Sequence, residues 1–310
     1  MERSTAFYIS GGAGRIICSI PALELYAIEH PEDDFIIVVE HGMDFFRGHP
    51  ELYRRCYDFS HKGLFLDKIK DRDFFNPEPY QLWEYYNQQC SISQAFDIII
   101  NNQGIRNISS PRLFLTNEEF FGGLETVNKI RSDFGDKKTI VFQPWGRGSN
   151  LNKAVTGLDP YGKSFFIEDV VKLIEKLQKK YTVILMGENE INLKQFGYND
   201  SIAQITNLSL RRWASIINSA DYFLGCDSVG QHMAYAFNKK ATVVLGSTFA
   251  ENVSYPNNPN FDILDFGQNK KMYSPIRVTI DDVADVNNEG IMRLTEEQLN
   301  EIVKSIDKNI

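Results

Sequence analysis

The amino-acid sequence predicts an α/β protein of two halves, each built on a parallel sheet, facing each other across a cleft. Three observations predict it. Short apolar runs of strand length alternate with amphipathic, helix-length segments, which is the pattern of βαβ units. The pattern pauses near the middle of the chain and then restarts. A length of 310 residues also exceeds most single cores and suits two domains of roughly 150 residues each.

The first half opens with Ala6-Phe7-Tyr8-Ile9-Ser10 as a strand, a glycine-rich turn, and a helix beginning near Arg15 or Ile16. Phe35-Ile36-Ile37-Val38-Val39 is a buried strand, and Phe96-Asp97-Ile98-Ile99-Ile100 reads as another. The stretch 43–95 between them is irregular and rich in aromatics. Pro77 and Pro79 break any long helix there, so it is expected to be an insertion over the first sheet. The polar run 131–138 has linker character. After it come the strand Thr139-Ile140-Val141-Phe142-Gln143, a helix over 166–179 and the strand 181–186. A helix over 209–219, a strand at 222–224, a helix from about 230, a strand over 241–245 and a final helix over 296–307 complete the chain. The expected domains are 1–130, with its insertion near 43–95, then 137–290, then the C-terminal helix 291–310.

Composition narrows the class. With 43% hydrophobic and 24% charged residues the chain has ample material for a globular core. A net charge of -8 argues against broad electrostatic binding of nucleic acid or anionic membrane, although a local basic patch stays open. Arg47, Arg54, Arg55, Lys62, Lys68, Lys70 and Arg72 gather over 43–73, mixed with carboxylates as on a solvated surface. The cysteines Cys18, Cys56, Cys90 and Cys226 are too widely spaced for a zinc site or a disulfide framework, and Cys18 and Cys226 read as buried thiols. No apolar run approaches the roughly 20 residues that span a bilayer, and the N-terminus lacks a signal-peptide pattern. A cytoplasmic protein with no stable membrane insertion is expected.

The most informative segment is Gly225-Cys226-Asp227-Ser228-Val229-Gly230-Gln231-His232-Met233-Ala234-Tyr235-Ala236. It follows an apolar strand and opens a helix. Such a turn aims backbone N–H groups and the positive end of a helix dipole at one spot, where phosphate binds well. Asp227 or Ser228 is expected to cap the helix, and His232 falls in its first turn. A second glycine-rich loop, Gly11-Gly12-Ala13-Gly14, lacks the third glycine of a dinucleotide fingerprint, because Ile17 or Cys18 stands there. Tyr235-Ala236-Phe237-Asn238-Lys239 matches the Tyr-x-x-x-Lys of short-chain dehydrogenases but lies too late in the chain for that reductase reading.

The order Gly14-Arg15…Pro21-Ala22-Leu23, Phe142-Gln143-Pro144-Trp145-Gly146-Arg147-Gly148, Leu185-Met186-Gly187-Glu188-Asn189-Glu190 and Ala220-Asp221…Gly225-Cys226-Asp227-Ser228 resembles glycosyltransferase family 9. That family contains the ADP-heptose:lipopolysaccharide heptosyltransferases. The resemblance implies the GT-B fold, two Rossmann-like domains with the active site between them, and no cofactor beyond a nucleotide-diphosphate sugar as co-substrate. By the same resemblance Asp227, Ser228 and His232, with N–H groups near Gly230, hold the diphosphate. Lys163 contacts phosphate, Arg147 and Ser149 add ligands, and Glu188 or Glu190 binds the ribose hydroxyls. The opening loop with Gly12 and Gly14 meets the acceptor and the donor sugar.

Two departures stand out. The family's catalytic Asp is Arg15 here, and arginine cannot take a proton. Glu40, His41 and Asp44, beyond the strand at 35–39, are the expected replacements, with Arg15 free to bind an acceptor phosphate or a donor group. The family's Gly two positions after its second Asp is Val229 here, followed by Gly230. Asp71-Arg72-Asp73 lies in a charged, irregular stretch, so no metal is implied, and helix N-termini and basic side chains are expected to stabilise the leaving diphosphate. The expected activity is inverting, metal-independent glycosyl transfer to a surface glycan. Transfer to hydroxymethylated bases in DNA, and a non-catalytic nucleotide-sugar-binding protein, are the alternatives.

Overall fold

The computed structural model describes residues 4–146, 162–268, 270–271 and 290–310. They form two compact α/β units that divide at Thr116–Asn117.

The first unit is built on a four-stranded parallel sheet of order β3-β2-β1-β4. Strand β1 (Thr5–Ile9) runs into helix α1 (Ala13–Glu29), and β2 (Ile36–Val39) follows. Strands β3 (Cys56–Asp58) and β4 (Asp73–Phe75) come from the aromatic-rich stretch. That stretch is therefore not only an insertion over the sheet, because it supplies two of its strands. It is pinned to α1 by the buried His49, whose Nε2 lies 2.6 Å from Glu24 Oε1, while Arg112 donates to the same carboxylate from 2.7 Å. One turn of π-helix over Leu64–Ile69 lies against the sheet, leaving Phe59, Phe65, Leu66 and Phe74 exposed.

Residues 96–100 are not a strand. They belong to helix α3 (Ile92–Asn101), which comes after the one-turn helix α2 (Trp83–Tyr86). A capping box of Ser91 and Gln94 starts α3, and Asn102 in the left-handed region ends it. Phe96, Asp97 and Ile100 of this run lie on its buried side, Ile98 and Ile99 are half-buried, and the helix packs on α1.

The second unit begins earlier than the linker at 131–138 would suggest. Helix α4 (Asn117–Phe134) packs against α6 (Leu210–Ser219) of the same unit. Gly123 allows the approach, since an added Cβ would collide with the Ser215 carbonyl and lie 2.9 Å from Ser219 Oγ. Gly123→Ala should therefore cost about 1–3 kcal/mol as overpacking, read as a lower urea midpoint at unchanged m.

Six parallel strands form the second sheet in the order β10-β9-β8-β5-β6-β7. They are β5 (Thr139–Gln143), β6 (Thr182–Met186), β7 (Ala203–Ile205), β8 (Tyr222–Cys226), β9 (Ala241–Leu245) and β10 (Phe261–Asp265). Strands β5, β6, β8 and β9 are buried along their whole length, as helices on both faces require. Helix α5 (Ile167–Leu177) precedes β6, α7 (Val229–Ala236) and the short α8 (Ala250–Val253) flank β9, and α9 (Glu296–Asn309) packs on α5 and β9.

Both sheets share one arrangement. From β1 the chain adds β2 and β3 to one side and then returns to place β4 on the other. From β5 it adds β6 and β7 to one side, and then β8, β9 and β10 on the other. This is the doubly wound order, and each reversal opens a crevice at the carboxyl ends of the two central strands. The crevices lie between β1 and β4, and between β5 and β8.

Candidate functional site

At the β5–β8 crevice the chain places a dense polar cluster. Asp227, just past β8, is 8% exposed, and its carboxylate accepts from Lys163 Nζ at 2.7 Å and from Gln231 Nε2 at 3.0 Å. The side-chain oxygen of Gln231 accepts from Ser254 Oγ at 2.8 Å, so the fully buried amide is fixed at both ends. Burial of an unpaired carboxylate would be costly, so Asp227 and Lys163 hold each other in place. They are unequal in exposure: the Lys163 side chain is 29% exposed and the more open partner.

The expected cap of α7 takes a different form. Ser228 occupies the N-cap position but makes no side-chain bond to its own helix. Its hydroxyl instead accepts from Gln143 Nε2 at 2.9 Å. The Gly230 N–H donates to Gln143 Oε1 at 2.9 Å, so this amide is occupied by a side chain from β5 rather than presented to a ligand. Gln143 thus ties the ends of β5 and β8 together, a role invisible in the local motif. The Gly146 N–H donates to Ser164 Oγ at 3.0 Å and the Ser247 N–H to the Gly162 carbonyl at 3.2 Å, gathering loops 144–146, 162–165 and 246–249 at the same edge.

His232 is buried, with Nδ1 2.7 Å from Tyr255 Oη. Burial pushes its pKa down to about 4; Asp227 opposes the shift and Lys163 adds to it. The imidazole is therefore neutral near pH 7 and brings no positive charge to the crevice. Lys271 was not legible in the sequence. Its side chain, 5% exposed, pairs with Asp265 at 2.6 Å, donates to the Thr248 carbonyl and lies over the Phe249 ring. The Thr248 hydroxyl is buried in this loop with no hydrogen-bond partner among the described residues.

Glu188 and Glu190 are exposed beyond β6. Glu190 lines a cavity of about 530 Å³ with Lys194, Tyr198, Asp200 and Gln204, beside the edge strand β7. Arg147 and Ser149 lie outside the described residues.

The β1–β4 crevice of the first unit holds a second ion pair. Arg15, 7% exposed, reaches under the glycine loop, where both carboxylate oxygens of Glu78 accept from its Nη1 at 3.0 Å. Its Nη2 donates to the Pro77 carbonyl at 3.0 Å, and the guanidinium lies 5.3 Å from the Tyr80 ring centroid and 5.5 Å from that of Phe96. Gly11, at φ +93°, makes room for the arginine stem, since a Cβ there would sit 3.1 Å from Arg15 Cδ. Arg15 Nη1 and Nη2 are thus bonded inside its own unit, and its Nε has no hydrogen-bond partner among the described residues. Here the carboxylate is the more open partner, with the Glu78 side chain 18% exposed against 6% for Arg15.

Of the carboxylates and imidazole expected near this loop, Glu40 accepts from the Gly11 N–H at 3.0 Å, while His41 and Asp44 are exposed. Gly12 is the residue before α1 and Gly14 lies in its first turn. Glu78 is the residue that sequence reasoning missed. It stands 63 positions from Arg15, and only the flanking Pro77 and Pro79 hinted at a fixed backbone there.

Neither a protein-family model nor a curated protein sequence matches this chain. Solved structures do match its fold. A glycosyltransferase of family 9 from Veillonella parvula superposes with a TM-score of 0.69 at 12% identity, covering 98% of this chain and 97% of its own. The E. coli ADP-heptose LPS heptosyltransferase II gives a TM-score of 0.62 at 10% identity, with 99% of both chains covered. The E. coli heptosyltransferase WaaC with ADP gives 0.57 at 12% identity, covering 99% of this chain and 100% of that one. The chain therefore has the α/β fold of these glycosyltransferases, with two Rossmann-like domains.

Proposed function

We propose that this protein is a glycosyltransferase that moves a sugar from a nucleotide-diphosphate sugar to a hydroxyl acceptor. The observation that supports it best is the β5–β8 crevice. There a lysine held by a buried carboxylate is the open partner of its pair, beside the N-terminus of α7. An ammonium on a fixed support meets the negative charge that grows on a departing diphosphate. The α7 dipole adds to it, and the neutral His232 contributes shape and hydrogen bonding rather than charge.

The reaction is inverting transfer. The acceptor oxygen attacks C1 of the sugar, the bond from C1 to the diphosphate oxygen breaks, and the nucleoside diphosphate leaves with that electron pair. The hydroxyl proton passes to a protein base. This scheme assigns stabilisation of the leaving group to Lys163 and the α7 N-terminus rather than to a metal. The known ligands of similar structures, ADP and an ADP-heptose analogue in WaaC, make adenosine-diphosphate sugars the first donors to try. A surface glycan is the acceptor class of this reading.

The test is calorimetric titration with ADP-, UDP-, GDP- and CMP-sugars, with NAD(P) as a control. One nucleotide-diphosphate sugar should bind. Lys163→Ala should weaken it about 10- to 100-fold, as expected when a hydrogen bond to a charged group is lost. Affinity for NAD(P) alone, or for no nucleotide at all, would sink the reading.

A further inference from the structure

We infer that Glu78, at the β1–β4 crevice of the first unit, is the general base of the transfer, and that Arg15 is the residue that positions Glu78. The inference rests on the glycosyl-transfer reading above and names the base that reading leaves open.

Three observations support it. The first is placement: Glu78 follows β4 and the Gly11–Gly12 loop follows β1, so both stand at the carboxyl ends of the two strands where the winding reverses. In doubly wound sheets this is where ligands bind. The second is the asymmetry of the pair. Arginine cannot accept a proton, and it is the buried member; the group that can accept one is the open member. Its carboxylate is held by both bonds from Arg15 Nη1 and by the Tyr80 N–H at 3.2 Å to Oε1, so its orientation is fixed before any substrate arrives. A base set in place this way loses little freedom in the reaction.

The third is unmet hydrogen-bonding capacity beside it. Among the described residues, Ser10 Oγ and Arg15 Nε are buried polar atoms with no partner, and Ser10 is fully buried between β1 and the loop. Buried polar groups are nearly always paired, so two orphans next to one crevice suggest a polar ligand that completes them. A polyhydroxylated acceptor has the hydroxyls to do so. In the transfer step the acceptor O–H proton moves to a Glu78 carboxylate oxygen as the oxygen bonds to C1 and the nucleoside diphosphate departs.

Glu40 is the rival base, since its carboxylate also stands at this loop, with Oε2 accepting from the Gly11 N–H. The pair of variants Glu78→Gln and Glu40→Gln therefore separates the two. Glutamine at 78 keeps an oxygen for Arg15 and is close in shape, and a melting curve verifies folding. Glu78→Asp serves as the conservative second variant.

The experiment uses the nucleotide sugar found by titration and follows release of nucleoside diphosphate with methyl glycosides, and with water, as probe acceptors. Glu78→Gln should keep donor affinity within about twofold while kcat falls about 10²–10⁴-fold, the usual contribution of a positioned base. The low-pH limb that a carboxylate base imposes on kcat should vanish, and Glu78→Asp should restore part of the rate. Retained kcat in Glu78→Gln with tight donor binding would overturn the inference alone, as would transfer of the loss to Glu40→Gln. Failure of the unaltered protein to bind any nucleotide sugar would instead remove the glycosyl-transfer reading and this inference with it.

Discussion

Arg15→Ala should lower the unfolding free energy by roughly 3 kcal/mol, at the low end of the range for breaking a buried ion pair. The side chain is 6% exposed, and its loss strands the Glu78 carboxylate and the Pro77 carbonyl together. It also removes a cation from between the Tyr80 and Phe96 rings, a contact worth about 0.5–2 kcal/mol. The low end applies because Glu78 keeps 18% exposure and can recruit water. Adding Glu78→Leu to Arg15→Met should recover most of the loss, since an apolar pair of similar volume avoids the desolvation cost of the ions. Urea unfolding followed by tryptophan fluorescence measures both. A single variant within 1 kcal/mol of the unaltered protein would mean that the pair is solvated and leaves the segment 76–80 unpinned.

The turn between β8 and α7 was legible because its information is local. An apolar strand, a polar turn and a helix start follow one another within 222–236, and strands β5, β6, β8 and β9 announce themselves as continuous apolar runs. The same rule failed at 96–100, where five apolar-rich residues fit a strand or a buried helix face equally well. The tie was broken nearby, by Ser91 and Gln94 at the start and Asn102 at the end. Strands β3 and β4 are three residues each, Cys-Tyr-Asp and Asp-Phe-Phe, and too short to show a period. They form because β2 and β1 offer them edges, which is a property of the sheet and not of the segment.

The long-range partners were the least visible. Gln143 reaches Ser228 and Gly230 across 85 and 87 positions, and Arg15 reaches Glu78 across 63. Nothing in the spacing of a single sequence marks such pairs. What the sequence did show was a conflict, an arginine where the resembling motif needs a base. The structure places on that arginine the carboxylate of Glu78, from the segment after β4. The two crevices then differ as their proposed tasks do: the open partner is the anion at Arg15–Glu78 and the cation at Lys163–Asp227. One suits taking a proton from a hydroxyl, the other receiving a diphosphate.

Acid should weaken the second unit through His232 over a defined window. Burial holds the imidazole neutral in the folded chain, with a pKa of about 4 against 6.5 in an unfolded one. Between these values the unfolded chain binds a proton that the folded chain refuses, so stability is complete above pH 6.5 and falls as pH drops towards 4. A difference of this size corresponds to about 3 kcal/mol. Carboxylates titrate in the same range, so the measurement is a difference between the unaltered protein and His232→Asn, whose amide retains a polar atom near Tyr255. The stability advantage of the histidine form should shrink by about 3 kcal/mol between pH 7 and pH 4. A pH-independent gap would show that His232 takes up its proton as readily in the folded chain as in the unfolded one, and that burial does not hold it neutral.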